Sequence, residues 1–244
     1  MSRTVLPSAL DLARLHLDIL YRRTADGLIT ASRDPEVTPP PVHLFRTVDG
    51  NIWAFGEPAH GLARELDSLL RELGTVVDIC AREPDPPIAE QARALAFEHI
   101  RYRGPAFVAG EPVQPAFGVT VIDSVRSLPT EEQGPLAWIS RVQERELPLA
   151  LVRDREFGGR VVSVCHSARS TEAGAEAGVE TAPEARRRGF GKAAVAAWAA
   201  AIQASGRLAF YSTEWENAPS RKIAARLGFE CYGEDVHVPL TSPK

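Results

Sequence analysis

One loop, residues 183–192, decides how the second half of this chain is arranged, because it joins a strand-like segment to an alanine-rich run that reaches Ala204. Pro183 has no N–H to donate, so strand pairing ends there. Gly189 and Gly191 let a ligand approach the backbone without a Cβ in the way. The free loop amides would join those of a helix N-terminus, which attracts anions. The sequence therefore predicts strand, loop and helix around a pyrophosphate site.

A second signal lies downstream in Asn217-Ala-Pro-Ser220, before a segment that ends in Leu227-Gly228-Phe229. Each signal is weak by itself, since the arginines at 186–188 could be a solvated helix start and Asn217 is a common helix N-cap. In this order and at this spacing, the two motifs resemble the acyl-CoA-binding motifs of the GNAT superfamily of N-acyltransferases. The resemblance covers about residues 119–239.

The resemblance implies a mixed α/β (α+β) fold for the C-terminal half. A central, mostly antiparallel sheet would be flanked by helices and splayed between two parallel strands, here 175–181 and 208–213. Prolines and glycines at 110–117 predict a hinge, and the segment before it has the pattern of a small α/β unit. We therefore expect a small N-terminal α/β domain, 1–115, that helps to shape the acceptor pocket, and a GNAT-like domain, 116–244.

Hydrophobic periodicity and turn residues predict the individual elements. In the first half we expect helices at 8–23, 62–73 and 88–101, a hairpin at 43–55, and strands at 76–80 and 105–109. In the second half we expect helices at 131–146, 189–204 and 218–227, and strands at 119–123, 149–152, 160–167, 175–181, 208–212 and 229–238.

The resemblance also implies which residues bind acyl-CoA. The main chain of Val179, Glu180 and Thr181 would pair with the pantetheine amides as an added strand would. Asn217 would reach the pantetheine arm, and Ser220 would lie one turn along the same helix face. Backbone amides and charge-assisted hydrogen bonds would hold the pyrophosphate at Arg186, Arg187, Arg188, Gly189, Phe190, Gly191 and Lys192.

Acyl transfer to an amine requires a base, a polarised thioester carbonyl and a proton for the leaving thiolate. In a family-like site, a backbone N–H at a strand bulge near Val179 would polarise the carbonyl. The candidate bases, in order of preference, are Glu180, Glu214 and His166. Each of the three also has a structural explanation, as a solvated or hydrogen-bonded side chain. Cys165 is expected to be a buried structural residue, because the transfer would be direct.

One position departs from the family pattern: Ala224 stands where many members have the tyrosine taken as general acid. Tyr211, Tyr232 or water could return the proton, or the thiolate could leave unassisted. We expect an acetyl-CoA-dependent N-acetyltransferase acting on a primary amine of a small molecule or peptide. The missing phenol keeps open a second function, that of a non-catalytic acyl-CoA sensor or regulatory protein.

Composition argues against other classes. The net charge of −4 does not suit a nucleic-acid binder. Cysteines occur only at Cys80, Cys165 and Cys231, a spacing that encodes neither a disulfide framework nor a zinc site, so we expect no metal. The absence of a long apolar run and of a secretory signal predicts a cytoplasmic protein without a membrane partner. The expected partners are acetyl-CoA and an amine acceptor; the acceptor's identity and the assembly, a homodimer included, stay open.

Overall fold

The computed structural model describes residues 6–71, 74–75, 102–129 and 134–238. Over these residues the chain divides into two compact units that interleave in sequence. The N-terminal unit comprises 6–107, 212–221 and 231–238, and the central unit comprises 108–211 and 222–230. The predicted domains, 1–115 and 116–244, stay a prediction. The predicted strand at 76–80 and helix at 88–101 lie outside the described residues.

In chain order, the described helices and strands are α1 (Ala9–Leu20), β1 (Tyr21–Arg23), β2 (Ile29–Ser32), β3 (Val42–Arg46), β4 (Asn51–Phe55), α2 (Ala63–Arg71), β5 (Tyr102–Val108), β6 (Val119–Ile122), β7 (Leu149–Arg153), β8 (Val161–Ser170), β9 (Gly174–Thr181), α3 (Phe190–Ala204), β10 (Leu208–Ser212), α4 (Ala218–Arg226) and β11 (Glu230–Val238). Among them, no helix has both the length and the apolar character needed to cross a membrane.

The N-terminal unit contains the predicted hairpin, formed by β3 and β4. Its strands follow the order β4, β3, β11, β5, and β11 pairs antiparallel with β3. The strand predicted at 229–238 is therefore present as β11, but its partners β3 and β5 lie in the first half of the chain rather than in the second. The reason is that β11 carries side chains whose buried partners lie in the first half, such as Arg46 for Glu234.

Helix α1 begins where the Ser8 hydroxyl accepts a hydrogen bond from the Asp11 amide at 3.1 Å, a typical N-cap. It ends at Leu20 rather than at residue 23, because Tyr21 turns to an extended conformation and starts β1, which pairs with β2. The Tyr21 ring is buried, and its hydroxyl contacts His43 at 2.9 Å. A tertiary contact therefore overrides the helical periodicity.

The central unit has its strands in the order β10, β9, β8, β7, β6. Pairing is antiparallel from β6 to β9 and parallel between β9 and β10, which confirms the predicted mixed sheet. Helix α3 packs on β7, β8 and β9 through buried residues such as Trp198, whose indole N–H donates to Ser167 Oγ at 3.1 Å. Leu136 and Ile139 belong to an apolar cluster with residues of β7 and β8.

The helix predicted at 131–146 is wrong over its described part. Instead, 3-10 turns occupy Gly134–Arg141, where a kink at Leu136 interrupts them, and Glu144–Glu146. Leu136, directly after Pro135, has φ −101° and ψ 17°, which is outside the helical region. Gly134 and Pro135 are both poor residues for the interior of an α-helix, so the local sequence prevents a continuous helix here.

The two parallel strands separate as predicted. Strands β9 and β10 pair at three positions, the last being Glu176 with Phe210. Beyond that point, residues 177–181 have register partners in β8 and, among the described residues, none in β10. One edge of β9 is therefore open over its second half.

Within the N-terminal unit, Glu234 is a buried carboxylate with three partners. It accepts hydrogen bonds from Arg103 at 2.6 and 3.1 Å, from Arg46 at 3.3 Å and from the Trp215 indole at 2.8 Å.

Replacing Glu234 by Ala should lower the free energy of unfolding by about 3–5 kcal/mol, because two buried cations lose their counter-charge. Urea unfolding measures this. Glu230→Ala, at an exposed position of the same strand, should change the value by less than about 0.5 kcal/mol; equal effects of the two substitutions would contradict the prediction.

Candidate functional site

The loop after β9 exposes a row of backbone N–H groups. A 3-10 turn, Pro183–Ala185, leads into it, and α3 begins at Phe190 without a side-chain cap. Within the described part of the chain, no backbone hydrogen bond uses the N–H groups of residues 187–192. These donors include the first turn of α3, where the helix dipole is positive. The loop therefore offers a set of aligned donors to an anion.

Two residues of the loop have left-handed backbone conformations. Arg187 has φ 64°, and it is the only non-glycine residue with positive φ in the described ranges. Gly189 has φ 88° and is followed by helical Phe190. Left-handed residues next to right-handed ones are the backbone pattern of anion-binding nests. A left-handed arginine costs about 1–2 kcal/mol, and such strain concentrates at functional sites.

The basic side chains of the loop differ in their surroundings. Arg188 forms an ion pair with Glu156 at 2.7 Å, and its guanidinium lies over the rings of Phe157 and Phe190 at 5.2 and 5.1 Å. Arg186 donates to the carbonyl of Thr181 at 3.3 Å. Arg187 and Lys192 are exposed and form no ion pair with a described residue. Arg188 therefore anchors the loop, while Arg187 and Lys192 point their charge to solvent.

The main chain of β9 presents alternate residues to its open edge. Ala182 donates to the Val162 carbonyl at 2.9 Å, which makes 182 and 162 a hydrogen-bonded pair across β8 and β9. By the alternation of an antiparallel ladder, Glu180 also faces β8, whereas Val179 and Thr181 face away from it. Three positions were expected to pair with pantetheine through the main chain. The main-chain groups of Val179 and Thr181 face the open edge, whereas those of Glu180 face β8.

The predicted bulge near Val179 is wrong. Strand β9 pairs residue for residue with β8 from Ala177 to Thr181, and the irregularity lies in β8, between Ser167 and Arg169. The Val179 N–H reaches the open edge through the regular alternation of the strand, so a bulge is not required to turn it there.

Gly191 sets the close approach of α3 to β9. A Cβ at this position would lie 3.2 Å from Thr181 Oγ1 and 3.4 Å from Ile223 Cδ1. Even an alanine at this position would require the Thr181 and Ile223 side chains to shift by a few tenths of an ångström. This contact brings the free amides of the loop to the end of β9 whose edge is open.

Two of the three predicted bases lie in one cluster. The Trp138 indole donates to Glu180 Oε2 at 3.0 Å, and the Trp138 and His166 ring centroids are 5.0 Å apart. The His166 ring lies against Gly178, its register partner in β9. Glu180 is exposed and His166 is half-buried. Sequence reasoning missed Trp138, since we placed it in an ordinary helix and nothing in that pattern directed it toward β9.

The remaining predicted residues, Glu214, Asn217 and Ser220, lie in 212–221, in the N-terminal unit. Glu214 is exposed. The Asn217 side chain accepts a hydrogen bond from the Ser220 N–H at 3.2 Å, which is the geometry of a cap at the start of α4. Their roles in binding and catalysis stay predictions from the sequence.

Ala224, at the position where many family members have a tyrosine, is fully buried. Tyr232 is buried and its hydroxyl lies 2.5 Å from His16 Nδ1, and Tyr211 is buried with its ring edge toward Phe229. Cys165 is fully buried, and burial raises the pKa of its thiol well above the ordinary value. This environment fits the expected structural role of Cys165.

Comparison with known proteins gives the same reading of this region. Residues 155–234 match the model of the GNAT acetyltransferase family. The match includes both motifs described above, so the predicted resemblance of the C-terminal half is confirmed. No curated protein matches the sequence.

Among solved structures, the chain is similar to a GCN5-related N-acetyltransferase from Kribbella flavida, with 21% identity over 64% of this chain and 65% of that one and a TM-score of 0.41. A GCN5-related N-acetyltransferase from Sphaerobacter thermophilus shares 13% identity over 87% and 80% of the two chains, with a TM-score of 0.46. A GNAT-family acetyltransferase from Colwellia psychrerythraea shares 14% identity over 99% and 100%, with a TM-score of 0.48. The match to the GNAT acetyltransferase family covers residues 155–234.

The contact between His166 and Gly178 can be tested directly. A Cβ at residue 178 would lie 2.5 Å from the His166 ring, so Gly178→Ala should lower the free energy of unfolding by about 1–3 kcal/mol through overpacking. In a His166→Ala background the same substitution should be neutral or stabilising, since alanine is favoured over glycine in a strand. Urea unfolding of the four proteins measures the coupling; purely additive effects would contradict the geometry.

Proposed function

We propose that this protein transfers an acetyl group from acetyl-CoA directly to a primary amine of a small molecule or peptide. The match of residues 155–234 to the GNAT acetyltransferase family supports the proposal. One observation carries the proposal: the unpaired amides of residues 187–192 adjoin the end of β9 at which pairing with β10 has already stopped. The expected place of the reaction is the cytoplasm.

The loop offers hydrogen-bond donors and positive charge to a diphosphate. The amides of residues 187–192, which include the first turn of α3, would donate to the phosphate oxygens, and the helix dipole favours negative charge at this end. Arg187 and Lys192 would add charge from the surface, whereas Arg188 keeps the loop in place through Glu156. The backbone donors fix the geometry, and the side chains add to the affinity.

The open edge of β9 offers main-chain donors and acceptors to an extended arm that contains amides. The main-chain groups of Val179 and Thr181 face this edge, so the pantetheine arm would bind there as an added strand. Such pairing places few demands on side chains. The Val179 N–H would then be a donor for the thioester carbonyl, which develops negative charge as the amine attacks.

The candidate general bases lie in the cluster around Trp138. In this proposal Glu180 accepts the proton that the amine loses as its nitrogen bonds to the thioester carbon, and His166 is the second candidate on the same cluster. The hydrogen bond from Trp138 holds the Glu180 carboxylate in one orientation. The carbon–sulfur bond then breaks and CoA leaves as the thiolate. A thiolate whose conjugate thiol has a pKa of about 8.5 is a good enough leaving group to depart without a general acid.

The binding claim is tested by Gly191→Asp. Bulk and negative charge next to Thr181 Oγ1 should abolish acetyl-CoA binding in calorimetry while the circular dichroism spectrum is kept. Gly61→Asp, where a Cβ meets no neighbour within 4 Å, is the matched control and should bind normally. If Gly191→Asp fails to fold, Lys192→Glu at an exposed position serves instead, with affinity reduced at least tenfold. Normal affinity of either loop variant would overturn the assignment of the pyrophosphate site.

The catalytic claim is tested by a thiol-release screen of acetyl-CoA against polyamines, amino acids, aminoglycosides and peptide N-termini. Glu180→Gln should lower kcat about 10²–10⁴-fold and leave acetyl-CoA affinity unchanged. The matched control is Glu172→Gln, at an exposed turn position. Acetyl-CoA binding without thiol release over the whole panel would favour the sensor, and an unchanged kcat of Glu180→Gln would exclude Glu180 as the base.

A further inference from the structure

Three metal-ligating side chains converge inside the N-terminal unit. His43 on β3 is the register partner of His237 on β11, and Asp235 lies two residues before His237 on the same strand face. Asp235 Oδ1 is 3.1 Å from His43 Nε2 and 3.1 Å from His237 Nε2. One oxygen therefore stands between two imidazole nitrogens.

These atoms are buried and lack hydrogen bonds of good geometry. The side chains of His43 and Asp235 are 0% and 3% exposed, and His237 is 27% exposed. His43 Nε2, Asp235 Oδ1 and His237 Nε2 each lie out of solvent without a hydrogen-bond partner in the described structure. A buried polar atom left in this state costs free energy unless something compensates it. A cation bound among the three would compensate all of them together.

The surroundings of His43 orient it as a ligand. The Tyr21 hydroxyl contacts His43 Nδ1 at 2.9 Å, which leaves Nε2 directed at Asp235. A partner of this kind on the second ring nitrogen is what holds a metal-binding imidazole in place.

We propose that His43, Asp235 and His237 form a binding site for a divalent transition-metal ion, with Zn²⁺ as the preferred occupant. Two imidazoles and one carboxylate are a donor set that suits zinc and other borderline metals better than Mg²⁺ or Ca²⁺, which prefer oxygen ligands. The bound ion would tie β3 to β11 and keep one coordination position for water. It would act on the stability of this unit, independently of acetyl transfer.

The distances fit an ion after a small movement. Zinc bonds of about 2.0–2.1 Å place tetrahedral ligand atoms about 3.3 Å apart. The two oxygen–nitrogen distances of 3.1 Å already match, and all ligand atoms lie within 4.8 Å of one another. The remaining approach is between the two imidazoles, of which His237 is the more exposed. Cysteine spacing does not indicate this site, because its ligands are two histidines and an aspartate, and His43 lies far from the other two in the sequence.

The experiment uses the full chain, freed of metal by a chelator and titrated with Zn²⁺ in competition with a chromophoric chelator. We expect one ion per chain, and Co²⁺ as a probe should give the visible absorption of a low-symmetry site. Asp235→Asn and His237→Gln should each weaken Zn²⁺ binding at least tenfold, and Tyr21→Phe, which removes the hydroxyl that orients His43, about tenfold. His60→Gln, a histidine outside the cluster, should bind as the unaltered protein does.

Several outcomes separate this proposal from a metal-free charge cluster, in which a protonated imidazole pairs with Asp235. No Zn²⁺ binding, or equal affinity of the unaltered chain and of both Asp235→Asn and His237→Gln, would overturn it. If Asp235→Asn does not fold, His237→Gln and Tyr21→Phe decide alone. The thermal midpoint supports the proposal if stoichiometric Zn²⁺ raises it in the unaltered protein but not in His237→Gln, and contradicts it if the two shifts are equal.

Discussion

The open edge at the end of β9 is the constraint on which the functional proposal depends. Strand β9 keeps its antiparallel partner β8 to its last residue and loses its parallel partner β10 after Glu176. Parallel neighbours need a crossover, and α3 provides it between β9 and β10. The N-terminus of the crossover helix must therefore lie at the carboxyl end of β9, which is where ligands bind in parallel α/β arrangements. Free main-chain groups of a strand and of a helix thus meet at one place.

A second constraint operates in the N-terminal unit, where β11 has a buried carboxylate on each of its two faces. Glu234 meets Arg46, Arg103 and Trp215, while its neighbour Asp235 meets His43 and His237. A slip of β11 by one residue would exchange the two carboxylates and leave each with the wrong partners. We infer that these buried charges fix the register of β11 against β3, which is the best-supported role of such groups.

Much of the central unit could be predicted from the sequence because its signals are local. Pro183, Gly189 and Gly191 act through backbone geometry within a few residues, and the hairpin of β3 and β4 depends on its own turn. The failures involve contacts between distant segments. Trp138 meets Glu180 only after 3-10 turns replace a predicted helix, and His43 meets His237 only because β11 pairs with β3. Single-sequence periodicity contains no information on such pairs, which tertiary packing decides.

The most direct test of the account is amide hydrogen exchange of the protein with and without saturating acetyl-CoA. If main-chain donors hold the cofactor, exchange should slow at residues 187–192 and at the open-edge amides of Val179 and Thr181. The first-turn amides of α1, which lie in the other unit, should be unaffected. Slowing that spared 187–192, or that appeared at the β8-facing amide of Glu180 but not at Val179, would contradict the account.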